Sequence, residues 1–251
     1  MIIKKPQHKH IPALRNLWQQ AFGDTDSFLD GFFSVGFSTE RSLCLWENEE
    51  LGAALYWFDC SWQGKKIAYL YGVATDLRFR GKGFCRELMT KAHGLLASQG
   101  YDGAILVPGS QTLFSLYRKI GYTACCPMTA RTILAAGTPA GLTKISAGEY
   151  ARLQRQYLPP DAVFHSQPTL AFVATFAGFY KGDGFAFCGG VEEDIFYFQE
   201  VLGNPEALCH ALASLKAETG QYRVAGGEHL AMYLAFVEED DLPDYFNIPM
   251  N

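Results

Sequence analysis

The spacing of apolar and polar positions changes several times along the chain. Isoleucine, tyrosine, leucine and valine crowd Ile67 to Thr75, which predicts a buried strand. Phe84 to Ser98 instead sets Leu88, His93, Leu95 and Leu96 among polar residues at helical spacing. Between the two stands Arg78-Phe79-Arg80-Gly81-Lys82-Gly83. The prediction is strand, glycine loop, helix. Tyr101 to Val107 reads as a further strand, broken by Pro108-Gly109, and Ser110 is a suitable N-cap for a helix from Gln111 to Ile120. That helix carries Phe114 and Tyr117 about one turn apart and stops at Gly121-Tyr122. Gly72 interrupts the first strand just before the loop, and a glycine there marks a bulge or a close approach of another backbone or a ligand. A bulge would release the NH and C=O groups of Val73 and Thr75 from the sheet.

The second half repeats this order. The small, turn-prone Ala135 to Gly141 reads as a linker. A helical stretch follows from Glu149 to Tyr157, then an apolar segment from Leu170 to Phe176. The strand pair Phe185 to Cys188 and Asp194 to Leu202, a helix from Pro205 to Glu218, and a strand near Tyr222 to Ala225 complete it. The expected organisation is two α/β (α+β) units, 1–135 and 142–251.

Composition narrows the function. The 251 residues, 49% of them hydrophobic, suffice for one large core or two modest ones. A net charge of -5 argues against a nucleic-acid binder, which normally presents a basic face. No stretch approaches the roughly 20 apolar residues of a membrane span, and Met1 to His10 is basic with no apolar stretch after it, so a cytoplasmic protein is expected. The seven cysteines are an odd number without a Cys-x-x-Cys pair, which points to reduced, mostly buried thiols, Cys125-Cys126 included. The six histidines, His8, His10 and His93 among them, show no metal-ligand spacing, and no metal is expected.

The glycine loop carries the chemistry. Gly81 and Gly83 let successive NH groups converge at the positive end of the following helix, and Arg78, Arg80, Lys82 and Arg86 add charge around them. An anion, most simply a phosphate, fits such a cradle. Gly83-Phe84-Cys85 lacks the Gly-Lys-Ser/Thr of a Walker loop, and the Gly-x-Gly-x-x-Gly of a dinucleotide fold is missing too.

With Tyr-Gly-Val-Ala-Thr at 71–75, Arg-Gly-Lys-Gly at 80–83 and Leu-Phe-Ser-Leu-Tyr-Arg-Lys-Ile-Gly-Tyr at 113–122, the first half resembles the GNAT acetyltransferase superfamily. The resemblance implies a mixed, mostly antiparallel twisted sheet flanked by helices. It also implies acetyl-CoA as co-substrate, its diphosphate on a Gln/Arg-x-x-Gly-x-Gly/Ala loop, its pantetheine arm along the preceding strand, and a tyrosine near the thioester sulfur. Two registers match. Arg78, Gly81 and Gly83 fit fully; Arg80, Gly83 and Cys85 fit with cysteine in the last small position, and the distance from Val73 to Arg80 favours this second one. The implied cofactor-binding residues are Val73, Ala74, Thr75, Arg78, Arg80, Gly81, Lys82, Gly83, Phe84, Cys85, Phe114 and Tyr117, with Val73 and Tyr117 in catalytic positions.

Acyl transfer needs a neutral amine, and a lysine-like amine of pKa about 10.4 is neutral only about once in 2,500 molecules at pH 7. Attack on the thioester carbonyl builds negative charge that a free NH near Val73 would stabilise. The departing thiolate, of pKa about 8.5 against about 10 for tyrosine, makes full proton transfer from Tyr117 uphill by about 2 kcal/mol, so Tyr117 reads as a hydrogen-bond donor. No base stands out: Asp59, Glu49, Glu50 and Glu200 read as solvated carboxylates. The chain end at Asn251 is a further candidate, because in some multi-lobed relatives the terminus reaches the active site.

In the second half, Gly203-Asn204-Pro205-Glu206 replaces the basic loop; Glu206 would repel a phosphate and Pro205 removes an NH donor. One acetyl-CoA per chain is therefore expected, with 142–251 as a degenerate GNAT-like unit that shapes the acceptor cleft or makes a homodimer. Three functions are compatible: N-acetyl transfer to a primary amine, acyl-CoA sensing without catalysis, and the aminoacyl transfer of some tandem-GNAT proteins. The acidic run Glu238 to Asp241 with Asp244 suits a cationic amine such as a polyamine or aminoglycoside, or simply a solvated turn.

Overall fold

Near-continuous runs of buried residues, as expected of strands covered on both faces, form a long hairpin, β3 (Glu50–Trp62) and β4 (Lys65–Thr75), at the centre of the first half. Before it come β1 (Ile2–Lys4), α1 (Ile11–Phe22), α2 (Asp26–Gly31) and β2 (Ser42–Glu47). After it come α3 (Phe84–Ser98), β5 (Gly103–Leu106), α4 (Gln111–Arg118) and β6 (Thr123–Leu134). The structure, a computed structural model, describes residues 1–238 and 241–248.

The second half runs β7 (Thr143–Lys144), α5 (Ala147–Tyr157), β8 (Phe164–His165), α6 (Gln167–Val173), β9 (Gly178–Gly182) and β10 (Phe185–Glu192). It continues with β11 (Ile195–Gly203), α7 (Leu208–Leu215), β12 (Thr219–Ala225) and β13 (Glu228–Ala235). The two halves repeat one order of elements with two exceptions: β8, between α5 and α6, has no counterpart in the first half, and α4 has none in the second, where β12 passes straight into β13 through Gly226-Gly227, both at positive φ. The apolar segment Leu170 to Phe176 forms the second half of helix α6, which ends at Val173, and the turn that follows it. The helix expected from Pro205 forms only from Leu208 to Leu215, because Pro205 to Ala207 make a tighter single turn capped by Asn204.

All these strands join one sheet in the order β1-β2-β3-β4-β5-β13-β6-β12-β11-β10-β9-β7, with β8 paired on β3. The last strand of the chain lies between β5 and β6, antiparallel to both, and β6 in turn pairs with β12. Each half therefore completes its sheet with a strand of the other. Hydrogen bonds cross the expected boundary at 135–142, and the turn-prone segment itself is pinned to α7 through Ser214 Oγ donating to Ala140 O (2.6 Å) and His210 Nδ1 to Thr138 O (2.8 Å).

Helices cover both faces. Leu88, Met89, Ala92 and Leu96 of α3 pack on Leu55, Trp57, Ala68 and Leu70 of the sheet, one turn after another down a single face. On the opposite face α1, α2 and α6 meet over β3 and β4: Phe172 of α6 stacks on Phe58 at 5.7 Å with 9° between the rings and meets Phe32 edge-on at 5.4 Å. Burial of each such ring contributes about 2–3 kcal/mol. A helix from the second half thus closes the core of the first.

Candidate active site

Strands β4 and β5 run parallel and pair only from Ile67 to Tyr69 against Gly103 to Ile105. Beyond Tyr69 they diverge, and β4 continues to Thr75 with only its β3 edge paired. Just past the divergence sits the bulge: Tyr56 pairs with Tyr71 and Ala54 with Ala74, so Leu55 alone faces both Gly72 and Val73. Gly72 has φ 57°, and a Cβ there would come within 2.6 Å of the Trp18 ring. Trp18 is held from its other end, its Nε1 donating to Asp24 Oδ2 at 2.7 Å. Trp18 and Asp24 were not foreseen from sequence; the Gly23-Asp24-Thr25 break between two helices was the available signal.

β4 runs directly into the glycine loop. Asp76 Oδ1 caps the short turn Leu77–Phe79 by accepting from Arg78 N at 2.9 Å. The Arg78 guanidinium turns back onto Asp76 (3.0 and 3.1 Å) and Glu50 (2.8 Å), and this hydrogen bonding keeps the Asp76 carboxyl below its ordinary pKa. Arg78 is therefore occupied by carboxylates. Arg80 makes only one contact, Nε to the Thr75 carbonyl at 3.2 Å, and among the described residues neither it nor Lys82 has an ion-pair partner.

Gly81 and Gly83 have φ 77° and 85°, and no atom lies within 4 Å of where a Cβ would be. No side chain caps α3 at Gly83, and the first helical hydrogen bond is Glu87 N to Gly83 O at 3.1 Å. The amides of Phe84, Cys85 and Arg86 precede that bond and have no helical acceptor. The phenyl ring of Phe84 is committed elsewhere, stacked on Phe79 at 5.0 Å and filling the space above Gly52, so only its main chain can serve an anion. The result is a cradle of amides, open to solvent, with Arg80 and Lys82 beside it and no carboxylate on either among the described residues; the Lys82 ammonium lies 5.0 Å from the Phe79 ring centroid.

Helix α4 brings Phe114 and Tyr117 to the same face of the sheet as Val73 and Cys85. Ser110 starts it without capping its backbone, bonding Thr112 Oγ1 at 2.9 Å instead. Tyr117 is 6% exposed and packs edge-on to Tyr122 at 5.8 Å; its hydroxyl makes no hydrogen bond among the described residues. Burial, and to a lesser degree the nearby Cys85, raise its phenol above the usual range, so it stays a neutral donor throughout the working pH range. Burial also raises the Cys85 thiol.

The carboxylates require a correction. Glu200 is not solvated: it is 2% exposed, and its carboxylate accepts from Tyr150 Oη (3.0 Å), Gln154 Nε2 (2.6 Å) and Tyr245 Oη (3.5 Å). Burial outweighs these donors and raises its pKa to about 7. The others are engaged elsewhere or exposed: Glu50 with Arg78, Asp59 with Tyr101 Oη and Arg41, while Glu49 lies on the exposed β2–β3 turn. Asn251, Glu239 and Asp240 lie outside the described residues. All seven cysteines are free. Among the described residues no group of acidic, histidine and cysteine side chains could hold a metal, and no helix is long and apolar enough to cross a membrane.

Residues 2–125 match the family model described as an acetyltransferase (GNAT) domain. No curated protein matches the chain in sequence. Among solved structures the fold is similar to a GCN5-related N-acetyltransferase from Kribbella flavida, 14% identical, with a TM-score of 0.69 over 93% of this chain and 70% of that one. It is equally similar to a GCN5-related N-acetyltransferase from Anabaena variabilis, 14% identical, TM-score 0.69, over 92% of this chain and 72% of that one. Eis1 from Mycobacterium abscessus shares the architecture at 11% identity and TM-score 0.64, over 94% of this chain and 74% of that one.

Proposed function

Because residues 2–125 match the acetyltransferase (GNAT) domain model, we propose that the chain is a member of that family and transfers an acetyl group from acetyl-CoA to a primary amine in a ternary complex. The free edge of β4, bulged at Gly72 and leading straight into the uncapped start of α3, is the observation that carries this reading. A pantetheine arm is an extended chain with amide groups, and the unpaired edge beyond Tyr69 offers it the hydrogen bonds that β5 does not take. The diphosphate then falls on the amides from Gly81 to Cys85, with Arg80 and Lys82 neutralising it, and Arg78 stiffens the loop from behind.

In the reaction the amine nitrogen attacks the thioester carbonyl carbon, and the C–O electrons move onto oxygen. The main chain of Val73, displaced from the ladder by the bulge, stabilises that oxyanion. Collapse expels the thiolate of coenzyme A, which accepts a hydrogen bond from the neutral Tyr117 phenol, while the former amine nitrogen gives up its surplus proton to solvent and the thiolate takes one up to leave as the thiol. Ala74 and Thr75 serve through backbone, Phe114 and Phe84 through packing. The unit formed by 142–251 walls the acceptor side, since α6 packs against Phe32, Phe58 and Tyr71 of the first half. Seven free cysteines fit a reducing, cytoplasmic setting.

Purified protein incubated with acetyl-CoA and a panel of primary amines tests the reading: free thiol should appear only when a suitable amine is present. Tight acetyl-CoA binding without turnover on any amine would turn the assignment to a sensor.

A further inference from the structure

The second half carries its own version of the cleft. β11 and β12 run parallel and pair only from Ile195 to Tyr197 against Thr219 to Gln221, the same three-residue pairing that joins β4 and β5. Past that point β11 also bulges: Cys188 pairs with Glu200 and Gly189 with Phe198, leaving Gln199 unmatched. Divergence followed by a bulge is thus repeated. What differs is the filling. Ile248 N donates to Gln199 O at 3.3 Å, so the C-terminal segment takes part of the edge that a pantetheine arm would need. A cavity of about 280 Å³ remains, bordered by Tyr197, Gln199, Gln221 and Arg223. That is room for a small metabolite, below the usual range for drug-sized ligands of about 300–1,000 Å³.

Arg223 gives the cavity its chemistry. Gly220 on β12 faces Phe198 and Leu212 of the α7 core, so Gln221 and Arg223 point to the other side of the sheet by strand alternation. The Arg223 guanidinium is half-buried, and among the described residues it makes no ion pair and no hydrogen bond. Burial lowers its pKa without bringing it near neutrality, because an arginine stays charged in proteins. A partly desolvated cation without a partner calls for an anion. Glu192 and Glu193 stand at the rim, exposed and unpaired with it, and would oppose a dianion more than a monoanion.

We infer that the β11–β12 cleft is a second ligand site, which binds a small monocarboxylate through the planar fork of Arg223, with the amides of Gln199 and Gln221 beside it. The fork matches a carboxylate in two parallel hydrogen bonds. The site is separate from the acetyl-CoA cleft and does not depend on acyl transfer.

Calorimetric titration of the full chain at constant ionic strength tests it, with sodium lactate and sodium benzoate as probes and inorganic phosphate and chloride as controls. At least one carboxylate should bind saturably, at least tenfold more tightly than phosphate. Arg223→Gln should weaken that binding at least tenfold, and Arg223→Lys, which keeps charge but loses the fork, severalfold. Glu192→Gln with Glu193→Gln should tighten it, an effect that a purely structural arginine would not show. Absence of saturable carboxylate binding, equal binding by Arg223→Gln and wild type at unchanged melting temperature, or tighter binding of phosphate would each overturn the inference.

Discussion

The Trp18 ring occupies the space that a side chain at Gly72 would need, with Cζ3 2.6 Å from the missing Cβ. The bulge and the packing of α1 on the sheet are therefore one feature. Gly72→Ala should cost about 2–4 kcal/mol, through a positive φ and the displaced indole together. In denaturant unfolding, Trp18→Leu should recover part of that loss in the double variant, because the two residues share one space. Additive losses would show that the clash is relieved elsewhere.

Gly81 and Gly83 face open space, so substitutions there act on backbone conformation and leave the core alone. Gly81→Val and Gly83→Val should weaken acetyl-CoA at least tenfold in calorimetry and lower stability by about 1–3 kcal/mol each, through the positive φ and not through the core. Arg80→Ala should weaken it too and flatten its salt dependence. Arg78→Ala should do less to the salt dependence, because its charge is already matched by Asp76 and Glu50. The opposite ranking of the two arginines would assign the phosphate contact to Arg78.

Tyr117→Phe should lower kcat by up to about a hundredfold, at the lower end of acid–base contributions, with little change in acetyl-CoA affinity. Since burial raises the phenol above its ordinary range, ionisation of Tyr117 should not produce a fall in kcat between pH 7 and pH 9. Unchanged kcat at saturating acetyl-CoA would reduce Tyr117 to a packing residue.

Glu200 makes stability depend on pH. Its pKa is about 7 in the folded chain against 4.5 as a reference, so the folded state holds a proton that the unfolded state releases. Its contribution is full below about pH 4.5 and is lost as pH rises through about 7, a change of roughly 3 kcal/mol. Glu200→Gln should flatten that part of the stability profile measured by urea unfolding. A profile identical to wild type would mean that Glu200 is ionised in the fold at low pH.

Local signals were legible in the order of residues. The strand ending at Thr75, the loop with Gly81 and Gly83, the helix Phe84–Ser98 and the bulge at Gly72 all depend on neighbours in the chain: glycine for positive φ, apolar spacing for the buried face. The repeated order of the second half was visible for the same reason. Pairings between distant segments were not. That β13 enters the sheet between β5 and β6 depends on register against strands some hundred residues away. Glu200 reads as an ordinary strand carboxylate until α5 and the segment around Tyr245 close over it. That the Arg78 guanidinium is matched by Asp76 and by Glu50, the latter on a neighbouring strand, was not legible in the sequence either. Backbone geometry is a local property, whereas burial and charge pairing exist only once remote parts of the chain share a surface, and there the tertiary structure decided.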